Sequence, residues 1–169
     1  MRISHALHLI APVVLAISVV CPNSVAIASD MEMSLQVRSA TQRVSTKHTE
    51  EQPSPTKPQP RPVFTSKEHE ELLVSWKATN VSKHETFQDV LIHCVVVSEL
   101  KPGPTTMPRL KDPVQESALT MDFKPGSSAT ETFSLKIDQP GTYLVRVETR
   151  NMLDKHGHEY FAELDLVRK

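Results

Sequence analysis

Apolar residues recur at every second position in run after run of this chain, and turn-forming residues separate the runs. Leu72, Val74, Trp76 and Ala78 alternate with Leu73, Ser75, Lys77 and Thr79. The same period of two returns at Leu119, Met121 and Phe123, at Phe133, Leu135 and Ile137, at Tyr143, Val145 and Val147, and at Tyr160, Ala162, Leu164 and Leu166. Successive side chains of a strand point to opposite faces, so this pattern predicts half-buried β-strands and leaves little room for helix. The stretch Phe87 to Ser98 differs, because Val90, Ile92, Cys94 and Val96 interleave with Leu91, His93, Val95 and Val97. A strand apolar on both sides is central and covered on both faces, or touches a partner. Its β-branched content favours strand over helix.

All four glycines fall between these runs, and three follow proline: Pro102-Gly103, Pro125-Gly126 and Pro140-Gly141. Proline pre-sets the first central position of a turn and glycine supplies positive φ at the second, a type II signal. Six or seven strands between Val63 and Lys169, spaced by turns, predict an all-β fold, an antiparallel β-sandwich of about seven strands.

Two segments precede that domain. Ala6 to Val20 is a 15-residue stretch broken only by His8, Pro12 and Ser18, and Arg2 stands before it. A membrane-spanning helix needs about 20 apolar residues, so this run is short for a span. Ala26-Ile27-Ala28 supplies small residues at the two positions a signal peptidase requires. Residues 1–28 are therefore expected to be a signal peptide cleaved after Ala28, with no membrane span afterwards and an exported, periplasmic or extracellular, destination. Residues 29–62 are assigned to a disordered proline-rich tether: Asp30 to Arg61 has no aromatic residue and ends in Pro53-Ser54-Pro55-Thr56-Lys57-Pro58-Gln59-Pro60-Arg61-Pro62. Such a composition buries too little apolar surface to offset ordering entropy, and close prolines favour polyproline II. Met31 to Val37 alternates weakly and could add one short strand. Residues 63–169 form the folded domain.

Cleavage would remove Cys21 and leave Cys94 alone, so the fold must stand without an internal disulfide. A cysteine in an apolar strand with no lysine or arginine beside it reads as a small core hydrophobe.

Asp138-Gln139-Pro140-Gly141-Thr142-Tyr143-Leu144-Val145 resembles the start of strand F in immunoglobulin-like domains. There an acidic residue and a glycine precede a tyrosine whose hydroxyl bonds back to the corner backbone. Tyr143 matches that tyrosine, and Val145 stands where antibody domains carry cysteine. Together with Asp122-Phe123-Lys124-Pro125-Gly126 and Phe133-Ser134-Leu135, the region is similar to bacterial exported immunoglobulin-like and fibronectin type III-like modules. The resemblance implies a fold and a surface-binding habit and carries over no catalytic residue.

The 19 basic and 20 acidic residues nearly cancel and form no basic stripe, so nucleic acid is not an expected partner. No phosphate-binding loop, dinucleotide fingerprint, zinc-protease helix or Gly-x-Ser-x-Gly elbow occurs. The sharpest local feature is His156-Gly157-His158-Glu159. Histidines two apart on a strand face one side and could share a metal, with Met152, Asp154 or His93 completing the ligands. The same residues also fit a solvated hairpin loop. Glu148, Glu163 and Asp165 fall on strand faces opposite core positions and are expected to be solvated. Arg146, Glu148 and Arg150 alternate on one face and are expected to pair across the sheet.

The expected function is a monomeric, non-enzymatic, cofactor-free binding or structural module of the cell envelope, recognising protein or polysaccharide through a sheet face or loops. The alternative is a periplasmic metal-binding domain using His156 and His158.

Overall fold

A computed structural model describes residues 30–48, 60–100, 110–154 and 157–169. The expected signal peptide, 1–28, lies outside the described residues, as do most of the proline-rich stretch, Pro102-Gly103 and His156. The described residues form nine strands and no helix: β1 (Met31–Arg38), β2 (Arg43–Lys47), β3 (Val63–Ser66), β4 (Leu72–Asn80), β5 (Phe87–Glu99), β6 (Gln115–Phe123), β7 (Ser128–Leu135), β8 (Gly141–Leu153) and β9 (Glu159–Arg168). They make a four-stranded sheet, β2-β1-β4-β7, and a five-stranded sheet, β3-β9-β8-β5-β6. Every neighbouring pair is antiparallel except β3 and β9, which run parallel with Phe64 opposite Leu166.

The alternating runs of β4, β8 and β9 do what their period requires, whereas on the edge strand β6 Leu119 is exposed and only Phe123 is fully buried. Leu72, Val74, Trp76 and Ala78 of β4 face Ile92, Cys94 and Val96 of β5, Val145 and Val147 of β8, and Tyr160, Ala162, Leu164 and Leu166 of β9 in one core shared by the two sheets. β5 is internal in its sheet, between β8 and β6. Its second apolar face is also covered: Val95 and Val97 join Leu144 and take Leu110 over them. Cys94 is a core residue, its thiol pushed up to about 12 chiefly by burial, with the Glu131 carboxylate adding to the shift.

The boundary expected at residue 62 is corrected. The chain enters the fold at Met31, and β1 and β2 occupy much of the stretch assigned to a disordered tether. Met31, Met33, Leu35 and Val37 are all at most 1% exposed. β1 lies between β2 and β4, with Leu35 opposite Trp76. The physical reason is cooperative. A two-stranded hairpin is marginal alone, but this one completes a sheet and buries four side chains on a surface β4 has already begun. The strand count rises from about seven to nine accordingly.

The turns divide. Pro125-Gly126 behaves as its residues dictate: Gly126 has φ 74°, and the Ser127 N–H closes the turn on the Lys124 carbonyl at 2.9 Å. At Pro140-Gly141 the glycine instead opens β8 and is not a type II turn residue. Beside the first turn, fully buried Asn80 donates to the carbonyls of Glu85 at 2.8 Å and Phe123 at 2.9 Å and accepts from the Ser82 N–H. That side chain ties the β4–β5 loop to the end of β6.

Candidate functional site

The two outer faces of the fold are chemically opposite. On the four-stranded sheet most outward positions carry hydroxyls and amides: Ser34 and Gln36 on β1, Ser45 on β2, Ser75 and Thr79 on β4, and Ser128, Thr130, Thr132 and Ser134 on β7, with Lys77 among them on β4, Leu73 at its start, and Glu32, Arg38, Arg43 and Lys47 on β1 and β2. Cross-strand pairs order them. Ser75 and Thr132 share a hydrogen bond at 2.8 Å, Thr79 and Ser128 one at 2.9 Å, and Gln36 Nε2 donates to Ser45 Oγ at 3.0 Å. One exposed ion pair, Lys47 to Glu32 at 2.8 Å, marks its rim and holds the Glu32 carboxyl below its ordinary range. A shallow depression crosses this face from Gln36 and Ser45 to Thr130 and Thr132. Trp76, expected in the core, is there, and its indole N–H donates to Glu131 at 3.1 Å.

The outer face of the five-stranded sheet holds a buried charge network. Arg61, just before β3, reaches Asp165 at 2.8 Å, Glu99 at 2.6 Å and Glu163 at 3.9 Å. Arg146 bonds Glu148 at 2.6 Å and its register partner Glu163 at 2.9 Å, and its guanidinium lies 4.0 Å from the centre of the Phe161 ring. Arg150 bonds Glu148 at 2.7 Å. The expected pairing of Arg146, Glu148 and Arg150 is thus present, along β8 as well as across to β9. The expected solvation of this face is corrected: Arg146, Glu148 and Asp165 are each at most 3% exposed. Glu148, Glu163 and Asp165 are each held by an arginine, the condition under which charges persist away from water. Glu99 shows the balance, its carboxyl raised by burial first and by Asp165 and Glu163, against the opposing pull of Arg61. At the other edge His93 Nε2 and Glu116 Oε2 lie 3.0 Å apart.

His158 lies in the turn before β9, and His156 is outside the described residues. The His158 N–H donates to Asp154 Oδ1 at 3.0 Å, and the Asp154 N–H to the His158 carbonyl at 2.6 Å. His158 Nδ1 stands 4.0 Å from Asp154 Oδ1. Of the other residues considered as ligands, Met152 packs against the core and His93 is on the outer face of β5 beside Glu116. Among the described residues no three His, Cys, Asp or Glu side chains converge on a point suited to a metal.

Sequence reasoning missed Arg61, which it placed in the tether. The only signal was an arginine flanked by two prolines next to the expected domain boundary, which does not reveal a buried partner.

No family model matches the chain, and no curated protein matches it. Among solved structures it is similar to a β-glucosidase from Listeria innocua, at 16% identity and TM-score 0.39, covering 83% of this chain and 16% of that one. It is also similar to a Bordetella pertussis protein named ApaA, at 17% identity and TM-score 0.34, covering 83% of this chain and 94% of the other. A third likeness, to a structural-genomics target, has 17% identity and TM-score 0.33 and covers 80% and 86% of the two chains. The chain thus spans about a sixth of the length of the Listeria enzyme. None of these likenesses brings an activity or a ligand to this chain.

Proposed function

We propose that this chain is an exported, monomeric, non-enzymatic module of immunoglobulin-like type that binds a hydroxyl-rich polysaccharide of the cell envelope through the outer face of its four-stranded sheet. The observation that carries the reading is the exposed array of hydroxyls and amides on β1, β2, β4 and β7, ordered by cross-strand hydrogen bonds. Its outward positions lack the aromatic and arginine anchors that dominate protein–protein contacts, apart from Arg38 and Arg43 at one end. The opposite outer face has its arginines and carboxylates committed to one another. The immunoglobulin-like type is supported by the buried ring of Tyr143 and the bond from its hydroxyl to the Gln139 carbonyl at 2.9 Å.

Sedimentation with purified insoluble envelope polysaccharide tests the reading. Wild-type protein should pellet with the polymer, and a Ser75→Arg/Thr132→Arg variant that blocks the face should stay in the supernatant while melting normally. Equal pelleting of the two, or none by wild type, would remove the proposal.

The second reading, metal binding by His156 and His158, draws support from the Asp154 carboxylate beside His158. Stoichiometric zinc or copper in purified protein, lost in a His156→Ala/His158→Ala double variant, would establish it.

A further inference from the structure

The register of the four-stranded sheet sorts its outer face into rows that run across the strands. Arg43 stands opposite Arg38, and Arg38 opposite Leu73. The next row is Ser45, Gln36, Ser75 and Thr132, and the one after it Lys47, Ser34, Lys77 and Thr130. A neutral row of hydroxyls and one amide therefore lies between two rows that each carry a pair of cations. Four residues of strand separate the cationic rows, about 13 Å at ~3.3 Å per residue.

The cations outnumber the acids beside them. Arg38, Arg43, Lys47 and Lys77 are all exposed. Glu32 serves both lysines: it bonds Lys47 at 2.8 Å, and Lys77 also lowers its carboxyl. Arg38 and Arg43 are like charges directly opposite each other, an arrangement that costs stability. Among the described residues neither forms an ion pair. Glu70 and Glu71 line a hollow with Arg38. Glu70 accepts from the Lys67 N–H at 3.1 Å, and its carboxyl is lowered first by a hydrogen bond with Ser39, which leaves Glu71. Glu131, the other acid of these strands, accepts from the Trp76 indole and the Ser117 hydroxyl. Two arginines and two lysines thus face Glu32 and Glu71 alone, on a chain whose net charge is −1.

Taking the face as a polysaccharide site, as proposed above, we infer that its polymer is an acidic one whose sugar rings bear carboxylates, with Arg38 and Arg43 as one anchor and Lys47 and Lys77 as the other. A carboxylate carried on the ring lets one chain lay hydroxyls along the middle row and charges on the rows that flank it. An arginine fork matches a carboxylate with two parallel hydrogen bonds, and an anion held between Arg38 and Arg43 relieves their repulsion. With such a polymer, Ser75→Arg/Thr132→Arg blocks by filling the middle row where the sugar rings lie, and its added charge does not replace the hydroxyls lost there.

The test sediments the full chain with cross-linked polygalacturonate and, in a second arm, with the same polymer methyl-esterified, which keeps the ring hydroxyls and removes the charge. Wild type should pellet with the acid form about tenfold more tightly than with the ester, and less as chloride rises. Arg38→Gln/Arg43→Gln should lose about tenfold in affinity for the acid form, the loss expected when charge-assisted hydrogen bonds are removed. It should melt no lower than wild type, because a like-charge pair is gone. Lys77→Gln should also bind more weakly. Lys83→Gln/Lys111→Gln, which removes cations from the β4–β5 loop and the stretch before β6, should bind as wild type does. The inference is overturned by equal pelleting with acid and ester, by pelleting with neither, by wild-type affinity in folded Arg38→Gln/Arg43→Gln, or by an equal loss in Lys83→Gln/Lys111→Gln. Sedimentation with insoluble envelope polysaccharide then separates the two claims. If wild type still pellets with it, the face remains a polysaccharide site and only the acidic class is lost; if it does not, both fall.

Discussion

The hydroxyl of Tyr143 donates to the carbonyl of Gln139, four residues upstream, at 2.9 Å. The bond closes the corner where the chain leaves β7 and begins β8, and the ring packs into the shared core and against Gly141. Tyr143→Phe keeps the ring and removes a bond to the carbonyl of an exposed residue, so a loss of about 0.5–1.5 kcal/mol is expected. Tyr143→Ala adds a cavity and should cost about 3–5 kcal/mol. Urea unfolding of both variants beside wild type checks the pair. A Tyr143→Phe midpoint equal to wild type would mean that the bond does not hold the corner.

Truncation separates the revised domain boundary from the expected one. A chain beginning at Ser29 keeps β1 and β2 and should melt cooperatively as a β-rich protein. A chain beginning at Val63 loses Met31, Met33, Leu35 and Val37 from the core. Each buried side chain of this size contributes about 1.5–3 kcal/mol, and four together rival the ~5–15 kcal/mol that holds a domain folded. The shorter chain should be unfolded by circular dichroism. A cooperative melt at wild-type temperature from Val63 onward would restore the tether reading.

The contrast shows what the residues can and cannot tell. β4, β5, β8 and β9 are legible because each carries its own alternation, and a strand's period is a local property. β1 is legible only as a weak alternation from Met31 to Val37 that could add a short strand, because its four apolar residues sit in a polar, proline-terminated segment whose average composition resembles disorder. What folds it is β4, more than thirty residues away. The buried network is hidden for a related reason. Arg146, Glu148, Glu163 and Asp165 occupy the polar half of the alternation, and the sequence does not say that the outward face of β8 and β9 is covered. Of the histidine pair, the sequence reveals only nearness along the chain.

Burial and the carboxylates of Asp165 and Glu163 hold the Glu99 carboxyl above its ordinary range despite Arg61. The folded state therefore keeps the Glu99 proton more tightly than the unfolded chain does. Stability from this group is fully present below the unfolded pKa and is lost as pH rises through the folded one. Glu99→Gln resembles the protonated acid and does not titrate. The difference in unfolding free energy between wild type and Glu99→Gln should move in favour of wild type as pH falls from neutral toward about 4.5, the ordinary glutamate value. Glu32 and Glu70, whose carboxyls are lowered, lose stability on acidification, but they are common to both proteins and cancel in the comparison. A difference independent of pH would show that Glu99 titrates as an ordinary carboxyl.

Arg146 is the junction of the buried network. Its Nε meets Glu148 at 2.6 Å, its Nη1 meets Glu163 at 2.9 Å, and its plane rests on Phe161. Arg146→Met fills similar volume but strands both carboxylates. Glu148 keeps only the half-exposed Arg150, and Glu163 keeps Arg61 at 3.9 Å. Removing one partner of a buried pair costs about 3–5 kcal/mol, because the remaining charge stays out of water. Arg146→Lys retains the charge but not the planar fork that reaches two carboxylates at once, so its loss should fall between wild type and methionine. The decisive variant removes the stranded charges as well. In Arg146→Met/Glu148→Leu/Glu163→Leu the buried acids opposite Arg146 are gone, and apolar replacement of buried ion pairs is often neutral or stabilising. Arg150, left without Glu148, is exposed enough to be solvated. The triple variant should therefore unfold at a higher denaturant concentration than Arg146→Met alone. A triple variant less stable than the single one would show that the ion pairs contribute net stability at this position, beyond compensating their own burial.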